Sequence, residues 1–280
     1  MRHLQRFHLT ASLAAALAAA APASAATLYV EAGRLIDGVS DEARTGQCIT
    51  VADERIAAVG PCGETPAGAA RIDWTGYTVL PGLIDLHTHL ADIGQSADLA
   101  APMNASPAET ALVGARNARV TLEAGFTSVR DVGTYRGLTD VVLRNAIERG
   151  DVPGPRMWVA GAYITTPRGG GELNGVVPND KLPPDMRLGV AATPEEAASK
   201  TAFLLDHGAD FIKTIATGAV LAIGTEPGAP ELTEEELRAV VKVAHARGKR
   251  VTAHAHGAEG IKNAIRAGVD SIEHASLADE

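Results

Sequence analysis

At 280 residues, 46% of them hydrophobic and only 4% aromatic, the chain holds one large domain or one domain with a small appendage, packed mainly by Ala, Val, Leu and Ile. A formal charge of −9 argues against a nucleic-acid partner, which requires a basic face, and two cysteines rule out a disulfide scaffold.

Residues 1–25 have the layout of a secretory signal peptide. Arg2 and Arg6 make a positive start, Ala11–Ala21 is nearly all Ala and Leu, and Ala23-Ser24-Ala25 supplies small residues for cleavage. The apolar run falls short of the ~20 residues that span a bilayer, so no stable membrane span is expected. The mature chain is expected to be exported, to a bacterial periplasm, with its charge moved from −9 to −11 by loss of the two arginines. Cys48 and Cys62 follow in the next segment, where an oxidising compartment would let them pair; two buried thiols are the alternative.

Residues 26–80 read as short strands, Leu28–Ile36, Ile49–Ala52, Arg55–Val59, Arg71–Trp74 and Tyr77–Leu80, forming a small antiparallel sheet. From Leu83 the rhythm changes to strand, loop, helix. Leu83–Leu86 is an apolar strand ending in His87-Thr88-His89, and strand alternation puts Asp85, His87 and His89 on one face. The second to sixth strands are predicted at Thr127–Val132, Arg156–Ala160, Asp210–Ile215, Arg250–His256 and Asp270–Ala275. Helices begin at Ser106-Pro107-Ala108-Glu109, Leu138, Thr193-Pro194-Glu195-Glu196, Thr233-Glu234-Glu235-Glu236 and Ala258, and most stop at a glycine. A Gly/Pro-rich loop covers 165–190. Alternating strands and helices predict an α/β fold with a parallel sheet, closed as a (β/α)8 TIM-type barrel or left open and doubly wound. The barrel is favoured, because ligand-type residues on strands one, four, five and six converge only if the sheet curls shut.

Seven histidines lie beyond residue 25. His207 and His245 sit in last helical turns, where the dipole favours them. His87, His89, His254, His256 and His274 all fall at C-terminal strand ends, the face on which barrels build active sites. Imidazole suits zinc and similar divalent metals. Lys213 shares the inward parity of Phe211 and Ile215. Either it pairs with an acid such as Asp131, or burial leaves it a neutral amine able to take up carbon dioxide as a carbamate.

Taken together, Pro81–His89, Gly208–Lys213, Val251–Gly257, Ser271–His274 and Phe126–Gly133 resemble the amidohydrolase superfamily, nearest its prolidase-like and imidazolonepropionase-related branch, over residues 27–280. The resemblance implies a metal-dependent hydrolase barrel, 81–280, with 26–80 as part of a small β-sandwich. It implies two zinc ions, one held by His87 and His89, the other by His254 and His274, bridged by the carbamate of Lys213. His256 would contact substrate or support a ligand from behind, and Arg168 would meet a substrate carboxylate. A hydroxide bridging metals roughly 3.5–4 Å apart would then attack the amide of a dipeptide or N-acyl amino acid. Two alternatives remain: single-metal opening of a cyclic amide, and an inactive metal-binding fragment. The full-length protein is expected to form a homo-oligomer. Only six barrel strands are found against the eight of a closed barrel. The sequence therefore predicts a C-terminally truncated copy, without the family's strand-eight aspartate, that expresses poorly, binds metal weakly and turns over no substrate, whereas the extended reading frame should do all three well.

Overall fold

The computed structural model describes residues 27–93, 98 and 100–280; the expected signal peptide, 1–25, lies outside them. The chain divides into two compact units, Met1–Pro81 and Gly82–Glu280.

The first unit is a four-stranded sheet of β1 (Leu28–Leu35), β2 (Arg44–Ala52), β3 (Arg55–Pro61) and β4 (Ala70–Val79), in the order β3-β2-β1-β4. Asp53 and Glu54, with φ of 50° and 61°, make the two-residue β2–β3 turn, whose twist suits a hairpin. Two expectations are corrected here. β4 pairs with β1 in parallel, because 62–69 return the chain to the start of β1 before β4 begins. The separate strands expected at 71–74 and 77–80 are one, since a register shift between Ala32 and Arg34 absorbs Thr75 and Gly76. At that shift Gly33 lies against the Thr75 carbonyl with no room for a Cβ. Val30, Ala32, Leu35 and Ile49 form the unit's core. Cys48 and Cys62 are joined as a disulfide, with Cα atoms 4.8 Å apart.

The second unit is mixed α/β. It runs β5 (Leu83–Thr88), α1 (Ala101–Asn104), α2 (Pro107–Glu123), β6 (Phe126–Asp131), α3 (Thr139–Glu148), β7 (Arg156–Val159), β8 (Tyr163–Ile164), α4 (Pro194–Asp206), β9 (Ile212–Ile215), α5 (Glu234–Ala246), β10 (Val251–Gly257), α6 (Ala258–Ala267) and β11 (Ser271–Leu277). Its strands pair in parallel as two sheets, β5-β6-β7 and β8-β9-β10-β11. The third expected strand, 156–160, is β7, and past Gly161, at φ 80°, a further short strand, β8, begins, so 156–164 edge both sheets. Among the described residues the strands do not close into a barrel: β5 and β11 have no strand on their outer edges.

The helix starts follow the caps. Ser106 and Thr233 form complete capping boxes with Glu109 and Glu236. Thr193 accepts the Glu196 amide, but the Glu196 carboxylate takes the Ala192 amide at 2.8 Å instead of closing the box. Each such cap is worth about 0.5–2 kcal/mol. Under α4, α5 and α6 lies the main core, with Ile164, Leu204, Ile212, Leu237, Val240 and Val251 all but inaccessible; burying each contributes about 1.5–3 kcal/mol. The 165–190 loop is tied down by Glu172, a buried carboxylate that accepts the Arg168 amide at 2.6 Å and Arg187 Nε at 2.7 Å.

Candidate metal and active site

β5 delivers His87, and His89 follows directly after it. The position of His89 is fixed from both sides. Asp131, at the end of β6, accepts the Leu90 amide at 2.5 Å, while His89 Nδ1 lies 2.8 Å from the Gly133 carbonyl. A carbonyl only accepts, so Nδ1 carries the proton and Nε2 is left bare. Asp85 turns back to accept the His87 amide at 3.0 Å. On β10, His254 Nε2 lies 3.2 Å from the Gly218 carbonyl, which leaves Nδ1 as its bare nitrogen. The His256 amide donates to Thr217 Oγ1 at 3.0 Å, and its Nδ1 is 2.9 Å from Ser276 Oγ.

His274, on β11, joins the two groups. Its ring centroid is 4.9 Å from that of His87, 4.6 Å from His254 and 4.7 Å from His256. Each of His254, His256 and His274 offers a nitrogen within 4.8 Å of the others. Burial pulls His89 and His254 down to about 3 and His274 to about 4, the nearby charge of Lys213 adding to the effect in each case. These rings are therefore neutral, the form that ligates metal.

Lys213 is 1% exposed, and burial lowers its amine to about 7, with Glu273 opposing the shift and Arg130 adding to it. The acid that acts on Lys213 is thus Glu273. Asp131, the partner weighed from the sequence, is engaged with Leu90 and with the Thr88 hydroxyl at 3.3 Å. Burial would raise Glu273, but hydrogen bonds from His87 and Thr252 and the charges of Lys213 and Arg130 bring it to about 2.

His87, His89, Lys213, His254, His256 and His274 line one cavity of about 350 Å³, with Tyr135, Tyr163, Gly170, Gly171, Ile215 and the 219–222 segment completing its wall. His256 is not set apart from His254 and His274. Arg168 is: it is exposed, adopts φ 64°, and is not among the cavity's lining residues. Gly170 and Gly171 have no room for a side chain, since a Cβ would press on Ala219 and on Ile215. Tyr163, on β8, is buried with its hydroxyl 3.1 Å from His89 Nδ1, and burial raises its pKa so that it stays a donor at neutral pH. Sequence reasoning missed Tyr163 because it fell between the third expected strand, 156–160, and the expected loop, 165–190. It missed Glu273 because strict alternation sets 273 opposite 274, whereas His274, at φ 75°, breaks the alternation. With nitrogen donors that suit a borderline divalent metal and a buried lysine among them, the residues present fit a metal site.

The sequence pattern of the amidohydrolase family matches residues 78–280. The ochratoxinase of Aspergillus niger is 30% identical over 267 residues, which cover 90% of this chain and 55% of that protein. A Xaa-Pro dipeptidase solved with methionine bound in its active site has a TM-score of 0.82 at 36% identity, over 91% of this chain and 63% of the other. A prolidase solved in complex with N-methylphosphonate-L-proline gives 0.80 at 28% identity, over 90% and 62%. The chain thus spans about half the length of the curated relative it matches.

Proposed function

This chain belongs to the amidohydrolase family, and from that premise we propose that it carries the metal site of an exported hydrolase of amide bonds, acting on a dipeptide or an N-acyl amino acid. The observation that carries the reading is the meeting of five histidines and a buried lysine, from β5, β9, β10 and β11, around one cavity. That prolidase and dipeptidase structures are similar over nine-tenths of the chain supports the choice of bond. The leader-like composition of residues 1–25 supports export to a periplasm.

In this reading His87 and His89 hold one divalent metal, zinc being the best match to the donors, and His254 and His274 hold a second. Bound there, such a metal supplies Lewis acidity to a carbonyl and lowers the pKa of water. Lys213, whose amine burial lowers to about 7, would in its neutral form add to carbon dioxide with loss of one proton, and the resulting carbamate would be a further anionic ligand for the metals. His256 faces the substrate. Tyr163 lies beside His89 with its hydroxyl donating to the Gly133 carbonyl at 3.2 Å, and Gly170 and Gly171 let the cavity wall pack closely against Ala219 and Ile215. In this reading the two parallel sheets belong to a TIM-type barrel, whose C-terminal strand ends are where such folds carry their sites.

The test is a metal count with a substrate panel. The complete protein, loaded with zinc in bicarbonate, should hold two metals and cleave dipeptides or N-acyl amino acids, and Lys213→Ala in it should lose both properties. One metal per chain with unchanged binding in Lys213→Ala would instead favour cyclic-amide chemistry without a carbamate. Lack of turnover by a two-metal chain on every amide offered would leave metal binding without hydrolysis.

A further inference from the structure

Glu273 lies at the centre of a buried polar network that links the first strand of the second unit to the last. Its Oε1 receives Arg130 Nη2 and the Thr252 hydroxyl, and its Oε2 lies 2.7 Å from His87 Nδ1. Arg130 is itself held in place. Its Nε donates to the Leu86 carbonyl at 2.7 Å, its Nη1 to Ser271 Oγ at 3.2 Å, and its guanidinium stands 5.7 Å from the centre of the Phe211 ring. Ser271 Oγ in turn donates to Thr252 Oγ1 at 2.8 Å. Both oxygens of Glu273 are therefore engaged and their directions fixed by β6, β10 and β11.

A carboxylate paired with a guanidinium only accepts hydrogen bonds, so the proton between His87 and Glu273 belongs to His87 Nδ1. We propose that Glu273 is a positioning residue for His87, fixing by this bond the ring orientation and the tautomer that leaves Nε2 as the metal-binding nitrogen. His89 reaches the same tautomer through the Gly133 carbonyl. The two imidazoles of the His-x-His segment thus present the same atom, one set by backbone and the other by a carboxylate from the opposite edge of the unit. Outer partners of this kind typically change metal affinity 10–100-fold when removed. The consequence for metal rests on the reading of the cavity as a metal site; the tautomer does not.

The experiment has two arms on the full chain. Nitrogen NMR of the metal-free protein with isotope-labelled histidine, assigned by the signal lost in His87→Gln, should show His87 protonated at Nδ1. In Glu273→Gln, Arg130 claims the remaining oxygen and the amide donates towards the ring, so the proton should move to Nε2. Zinc titration against a chelator should show affinity reduced 10–100-fold in Glu273→Gln. A wild-type His87 protonated at Nε2 overturns the proposal, as does a folded Glu273→Gln with unchanged tautomer and affinity. Should that variant not fold, the wild-type spectrum alone decides. A wild-type chain with the stated tautomer and no affinity for zinc refutes the metal site and leaves the positioning role standing.

Discussion

The Asp131 carboxylate accepts the amide of Leu90 at 2.5 Å, tying the end of β6 to the residue that follows His89. Asp131 is wholly buried, and its Oδ1 has no hydrogen-bond partner among the described residues. Burial, with Asp140 nearby, pushes its pKa well up. Asp131→Ala would leave the Leu90 amide unsatisfied beside the site, at a cost of about 1–3 kcal/mol. Asp131→Asn keeps an acceptor and should stay within about 1 kcal/mol of wild type. Urea denaturation measures both, and zinc titration should show weaker binding for the alanine variant alone.

His207 and His245 supply the negative controls. His207 Nδ1 lies 2.8 Å from the Phe203 carbonyl, with its ring stacked on Phe203 at 3.9 Å. His245 Nε2 lies 2.8 Å from Asp270 on the surface, an exposed pair worth at most about 1 kcal/mol. Neither lines the cavity. Alanine at either position should leave metal content and turnover within about twofold, well short of the effects expected of a ligand's partner. A larger loss at either would show that the cavity is not the metal site.

The contrast between these two histidines and the other five was legible in the sequence, because a glycine stop places a residue at a helix end and an apolar run places one at a strand end. The helices were legible for the same local reason: Ser106 and Thr233 cap in the described structure as their sequences predict. What was not legible depends on partners remote in sequence. The parallel pairing of β4 is decided by where 62–69 return the chain, and β8 exists because Tyr163 finds Lys213 as its register partner. Glu273 stayed hidden because a backbone irregularity at His274 defeats the two-residue period, and Arg168 was placed at the site by loop proximity alone.

Gly257 ends β10, one residue after His256, and a Cβ there would overlap the carbonyl of Gly228. Gly228 belongs to the segment whose Gly218 carbonyl fixes His254 and whose Thr217 hydroxyl holds the His256 amide. Gly257→Ala should therefore displace this segment, cost about 1–3 kcal/mol as overpacking does, and weaken zinc binding. A crystal structure or a zinc titration identical to wild type would show that the loop yields without moving the histidines.

The Cys48–Cys62 disulfide closes a short loop in the first unit, the sequence separation being 14. A loop of this size contributes about 3 kcal/mol by restricting the unfolded chain. Reduction, or replacement of both cysteines by Ala, should lower the stability of that unit by this amount. Trp74 lies on β4 and Trp158 on β7, so in Trp158→Phe the fluorescence of Trp74 reports the first unit alone. Denaturation of that variant with and without reductant makes the measurement, and coincident curves would show that the bridge does not constrain the unfolded chain.

Asp140 gives the stability a pH dependence of a definite sign. Burial raises its carboxyl from 3.8 to about 6, against the pull of the Gly161 and Val141 amides, each 2.8 Å away, and the charge of Arg144. The folded chain therefore binds this proton more tightly than the unfolded chain does. The resulting stabilisation is complete below about pH 4 and is lost as pH rises through about 6, up to about 3 kcal/mol at 1.36 kcal/mol for each pKa unit. Asp140→Asn has no proton to lose and keeps an oxygen for the Gly161 amide. Relative to wild type, the variant should gain stability steadily between pH 4 and about 7 and hold that gain above it. Urea denaturation of the two proteins at matched pH values reads the difference directly. A difference that stays constant across the interval would show that Asp140 ionises in the folded chain as it does in the unfolded one, with Arg144 and the two amides cancelling the effect of burial.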